Sequence, residues 1–131
     1  MPPKKSKRPA GMPHFHRPTP EMQRWSAMLA EELSDWPNVS TKPMFGFTSF
    51  YRGKNIFGAI PKTRCLHTAQ SVMFRLPENS RWQADVRKDL RVPGEFLMKK
   101  WIAFEIREEK DLRDALQWFE RAYEEAGKRG H

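Results

Sequence analysis

Two apolar runs on either side of the tripeptide Gly53-Lys54-Asn55 set the tightest limit on how this chain folds. Phe47, Phe50 and Tyr51 lead into the tripeptide, and Ile56, Phe57 and Ile60 follow it. All six are good strand formers. A short Gly/Asn segment between such runs reads as a hairpin turn, with glycine supplying the positive φ a tight turn needs. Two strands joined this closely pair antiparallel.

The same stretch, GFTSFYRGKN, imitates a phosphate-binding loop. A P-loop requires G-x-x-x-x-G-K-[ST] between a strand and a helix. Here six residues separate Gly46 from Gly53, and Asn55 stands where the Mg²⁺-binding hydroxyl belongs. Strand-like sequence follows, so no helix N-terminus would face a phosphate. The segment is read as a hairpin, not as a nucleotide cradle.

Other elements flank it. Thr19 is a good N-cap and Pro20 suits the first helical position. Met22, Trp25, Met28, Leu29, Leu33 and Trp36 follow at helical spacing until Pro37 stops the run. SVMFRL (71–76) alternates, with Val72, Phe74 and Leu76 on one face and Ser71, Met73 and Arg75 on the other. Residues 79–91 suggest a helix capped by Asn79 or Ser80 and buried through Trp82, Val86 and Leu90. WIAFEIR (101–107) is a strand with Ile102, Phe104 and Ile106 facing one way. A last helix covers about residues 109–126, with Leu112, Ala115, Leu116, Phe119, Ala122 and Tyr123 as its apolar face and Gly127 as a C′ residue. The order predicts an α+β fold: an antiparallel sheet of about four or five strands, packed in two layers with N-terminal, middle and C-terminal helices.

The 131 residues suit one domain. Residues 1–18 contain five prolines and little to bury, so they are read as a disordered tail, 19–127 as the domain, and 128–131 as a short disordered end. The formal net charge is +8, and Lys4, Lys5, Lys7, Arg8 and Arg17 supply five of those charges. The rest of the chain is only mildly cationic. Such a tail suits weak, non-specific nucleic-acid contact or an acidic protein surface, or serves to keep the domain in solution. KKSKR also resembles a nuclear-localisation patch. No run approaches a membrane span, and no apolar signal segment follows the basic start. With a single cysteine, Cys65, no internal disulfide forms and a cytoplasmic location is expected.

Few residues carry chemistry. Cys65 and His67 form a C-x-H pair, which reads as nucleophile and base or as an ordinary loop. His14 and His16 fall short of the four ligands of a closed zinc site. No cofactor or metal site is expected. A possible ligand face is formed by Arg75, Trp101 and Glu105 on the second sheet face, with Arg52 and then Lys62 and Arg64 extending a cationic rim. Arg75 and Glu105 would there form a cross-strand ion pair.

PMFG followed by a short strand, a glycine turn and an apolar strand (Pro43 to Ile60) resembles the N-terminal domain of the bacterial TfoX competence regulators. The late W-[IV]-x-F strand and terminal helix ending near a Tyr (Trp101 to Tyr123) is similar to small YjbR-like proteins and to small bacterial proteins labelled luciferase-domain. The resemblance, over roughly residues 22–126, implies a compact α+β domain with no agreed catalytic residues. TfoX itself implies a regulatory role in DNA uptake. The expectation is therefore a non-enzymatic, cytoplasmic bacterial domain that acts by binding nucleic acid or another protein. The alternative is a small-molecule-binding protein using the sheet face around Trp101, Arg75 and Glu105.

Overall fold

The computed structural model describes residues 15–93 and 100–128. The tail residues 1–14, with Lys4, Lys5, Lys7 and Arg8, lie outside the described residues, as do 129–131. In chain order the elements are β1 (Phe15–His16), α1 (Pro20–Ser34), β2 (Val39–Met44), β3 (Phe47–Arg52), β4 (Asn55–Pro61), β5 (Cys65–Leu66), β6 (Ser71–Arg75), α2 (Gln83–Arg87), β7 (Trp101–Glu105) and α3 (Asp111–Lys128). The fold is α+β. Its main sheet has five antiparallel strands in the order β2-β3-β4-β6-β7, and β1 and β5 form a separate two-stranded ribbon.

Helix α1 starts as its sequence dictates. Thr19 accepts a hydrogen bond from the Met22 N–H (3.0 Å), and Pro20 occupies the first turn. Met22, Trp25, Leu29 and Leu33 are buried, whereas Met28 is 45% exposed and so falls outside the stripe. The hairpin turn lies where expected, with Gly53 at φ +61. Gly46 and Gly53 sit in turns at opposite ends of β3, which separates the two glycines of the apparent phosphate loop by a whole strand.

Strand β2 has no counterpart in the sequence reading. Its residues, VSTKPM, are mostly exposed, and Pro43 and Lys42 lie on a sheet edge where a missing N–H and a charge are tolerated. The middle helix is shorter than expected. Only Gln83–Arg87 is helical, and Leu90, assigned to its buried face, is 85% exposed. Gly127 lies within α3 rather than beyond its end.

Helices α1 and α3 cover one sheet face. Phe50, Gly58, Phe74 and Ile102 align across β3, β4, β6 and β7 on that side. Phe74 stacks on Trp118 (5.7 Å between centroids, 3° between planes) and meets Phe119 edge-on. The second face is less open than its sequence suggests. Phe47, Ala59, Leu66 and Met73 form a second buried cluster, flanked by Phe15, Met44 and Trp101. The β1–β5 ribbon supplies Phe15 and Leu66 to it, and its residues Phe15 and His16 precede the Thr19 boundary drawn from composition.

Candidate nucleic-acid interface

The described end of the basic tail is tied to the domain. Phe15 and His16 pair with Leu66 and Cys65, and the Arg64 guanidinium lies over the Phe15 ring (5.3 Å to its centroid). Arg17 follows, exposed, and lines a cavity of about 200 Å³ with Pro18, Gln23, Lys62 and Thr63. Arg17, Lys62 and Arg64 therefore gather at one end of the sheet, where the β4–β5 connection passes beneath the β2–β3 turn.

That turn is built from Phe45 and Gly46, both with positive φ (49° and 88°). The Gly46 carbonyl accepts three successive backbone N–H groups, from Lys62 (2.9 Å), Thr63 (2.9 Å) and Arg64 (3.3 Å). A Cβ at Gly46 would lie 2.8 Å from both the Arg64 Cγ and the Thr63 Oγ1, so only glycine fits there. The anchored carbonyl fixes the turn, and the turn holds Phe45 outward, 80% exposed. A non-glycine residue in the left-handed region costs roughly 1–2 kcal/mol. Phe45 thus makes a strained tip that adds nothing to the core.

The electrostatics of this end have a simple origin. Residues 36–77 contain Lys42, Arg52, Lys54, Lys62, Arg64 and Arg75 and no Asp or Glu. The first 20 residues also contain no acid. Among the described residues, Arg17, Lys42, Lys62 and Arg64 form no ion pair. Lys42 instead lies over the Tyr51 ring (5.1 Å). Glu21, the first acid of the chain, is 3.8 Å from Arg24. Reading net charge over the whole domain hides this patch. The acid-free run is the sequence signal that exposes it.

The four residues of the possible ligand face do not come together. Arg75 and Trp101 are cross-strand partners, but Glu105 is paired with Ser71, at the far end of the same two strands. The expected Arg75–Glu105 ion pair is replaced by Glu105–Arg107 at 3.0 Å. Arg52 projects to the helix face, where it lies over the Tyr123 ring (4.2 Å) and donates to the Tyr123 carbonyl (3.0 Å). It lines a cavity there with Trp36, Pro37, Glu120, Tyr123 and Glu124. Arg75, Trp101 and Glu105 thus share one sheet face, with Glu105 at its far end, and Arg52 lies on the other.

Cys65 is fully buried and donates weakly to the Ser71 carbonyl (3.6 Å). Burial pushes its thiol up to about 11, against the smaller opposing effect of that hydrogen bond. It is held as a thiol at neutral pH and is unsuited to the nucleophile role. His67 has φ 79° and follows the short β5 strand. Among the described residues, no cluster of three or more His, Cys, Asp or Glu is placed to hold a metal. Nor is any helix there long and apolar enough to cross a membrane.

Compared with family models, curated proteins and solved structures, the chain matches none of them.

Proposed function

We propose that this chain is a non-enzymatic binding domain of the regulatory, TfoX N-terminal-like kind, and that it contacts nucleic acid weakly and without sequence preference. The basic tail reaches the phosphates first, and the cationic end of the sheet continues that track. One observation carries the reading: Arg17, the last tail cation, lines one cavity with Lys62, Arg64 follows in the same β4–β5 connection, and among the described residues no acid forms an ion pair with any of them. Unpaired cations on one surface suit a polyanion, because phosphate contacts release counterions and need no base recognition.

Salt dependence tests the proposal. If the four cations Lys4, Lys5, Lys7 and Arg8 meet phosphates, they contribute about −3 to −4 to the slope of log K against log[salt]. Changing all four to glutamine in the full chain should remove that share and weaken binding to a mixed-sequence duplex. Affinity should lie in the non-specific range of roughly 10⁻⁴–10⁻⁶ M at physiological salt. A slope that the four substitutions leave unchanged, or no binding by the unaltered chain at low salt, rejects the reading.

A further inference from the structure

We infer that the Phe45 tip and the cations around it form a folded docking surface for single-stranded nucleic acid. The Phe45 ring stacks on an unpaired base while Lys62, Arg64 and Arg17 contact the phosphates. The inference rests on the reading above and adds to it a site within the fold and a strand preference.

Three features converge. First, among the described residues Phe45 is the most exposed aromatic, and the three N–H groups on the Gly46 carbonyl and the lack of room for a Cβ at Gly46 hold its turn in place. A rigid, exposed ring loses little freedom on binding. Second, the residues that anchor the turn are the ones that carry charge. The backbone N–H groups of Lys62 and Arg64 bind the carbonyl of Gly46, the residue next to Phe45, and both of their side chains are exposed. Third, the Arg64 that binds this turn also meets an aromatic ring. The Arg64 guanidinium lies over Phe15, whose ring is 6.4 Å from that of Phe47.

An acidic polypeptide would satisfy the charges and leave the ring without a flat partner. A nucleic-acid strand offers both, since every base has a π-face and every nucleotide a phosphate. Bases within a duplex are already stacked on their neighbours, so Phe45 gains its partner only from a single strand.

The test uses the full chain with two fluorescein-labelled probes of about 15 nucleotides, an oligothymidylate and the corresponding dA·dT duplex, at low salt. Phe45→Asn keeps the left-handed turn, because asparagine tolerates that conformation, and its melting temperature should equal or exceed that of the unaltered chain. The unaltered chain should bind the single strand about 5- to 100-fold more tightly than the duplex. Phe45→Asn should abolish this preference and leave duplex binding intact, and Phe45→Trp should preserve it. If Phe45→Asn retains the preference, the platform is elsewhere and the inference fails. Equal binding of both probes, with the tail-dependent salt slope, also overturns it while leaving the proposed function standing. Displacement of the strand by polyglutamate, equally dependent on Phe45, would overturn it in favour of an acidic polypeptide. Failure of both probes to bind would overturn both readings.

Discussion

Phe45 and Gly53 share a left-handed backbone, yet only one of them announces it. Gly53 stands between two β-rich runs, and its φ of +61 is what such a turn demands. Its N–H donates to the Asn38 carbonyl (3.0 Å), which ties the turn to the residue before β2. Gly53→Val should therefore destabilise the protein by about 1 kcal/mol or more, measured by thermal or urea unfolding. An unchanged midpoint would mean that the turn backbone adapts to a β-branched residue. Phe45 gives no such signal. Bulky residues avoid φ > 0, so the residue type argues against the conformation it adopts. What places it there is the closure of β2 onto β3 in the register Met44↔Phe47, which leaves only Phe45 and Gly46 to turn the chain. Cys65 is a third case. Its C-x-H spacing invites chemistry, and burial removes it.

At the level of elements, legibility follows burial. Strands β3, β4, β6 and β7 and helices α1 and α3 carry periodic apolar residues because one face of each meets the core. The edge strand β2 buries almost nothing, and its pairing with β3 holds it extended. The segment after Ser80 is polar enough that only one turn of helix around Val86 persists. The apolar spacing read for α3 omits Trp118, yet it is buried against Phe74. The packing of α3 on the sheet depends on Gly58, where a Cβ would come within 2.6 Å of the Phe119 ring. Gly58→Ala should force α3 away from β4 and cost roughly 1–3 kcal/mol through overpacking. Combining it with Phe119→Leu should recover part of the loss in a double-mutant cycle. Strictly additive losses would show that the ring does not sense this position.

At the scale of the whole molecule, one ionic node joins the segment after α2 to β7 and α3. Arg91 pairs with Asp89 through two nitrogens (2.8 Å each), with Asp111 at 2.7 Å and with Asp114 at 3.0 Å, and lies over the Phe104 ring. Burial alone would raise the Asp89 and Asp111 carboxyls. Arg91 outweighs it at Asp89, and at Asp111 the N–H groups of Arg107 and Glu108 act together with Arg91. Both carboxyls are held below the ordinary range. A depressed folded-state value means stability present above the unfolded pKa of about 3.9 and lost as pH falls through the folded value. The melting temperature should be nearly flat above about pH 5 and should drop below about pH 4. Asp111→Asn should cost about 2 kcal/mol at neutral pH and make that acid decline shallower. An equally steep decline in the variant would assign the acid sensitivity to other groups. The sequence alone determined the α+β class, the two long helices, the Gly53 hairpin and the inward faces of β6 and β7, because alternation and helical spacing are local consequences of burying one side. It also held the acid-free run from residue 36 to 77. Tertiary structure decided which charges meet: register separated Arg75 from Glu105 and sent Arg52 to the helix face, and chain closure brought Arg17 to Lys62 and the backbone of Lys62 and Arg64 onto the Phe45–Gly46 turn. These are contacts between residues far apart along the chain, and side-chain periodicity fixes the face on which a residue lies but not the neighbour it meets there.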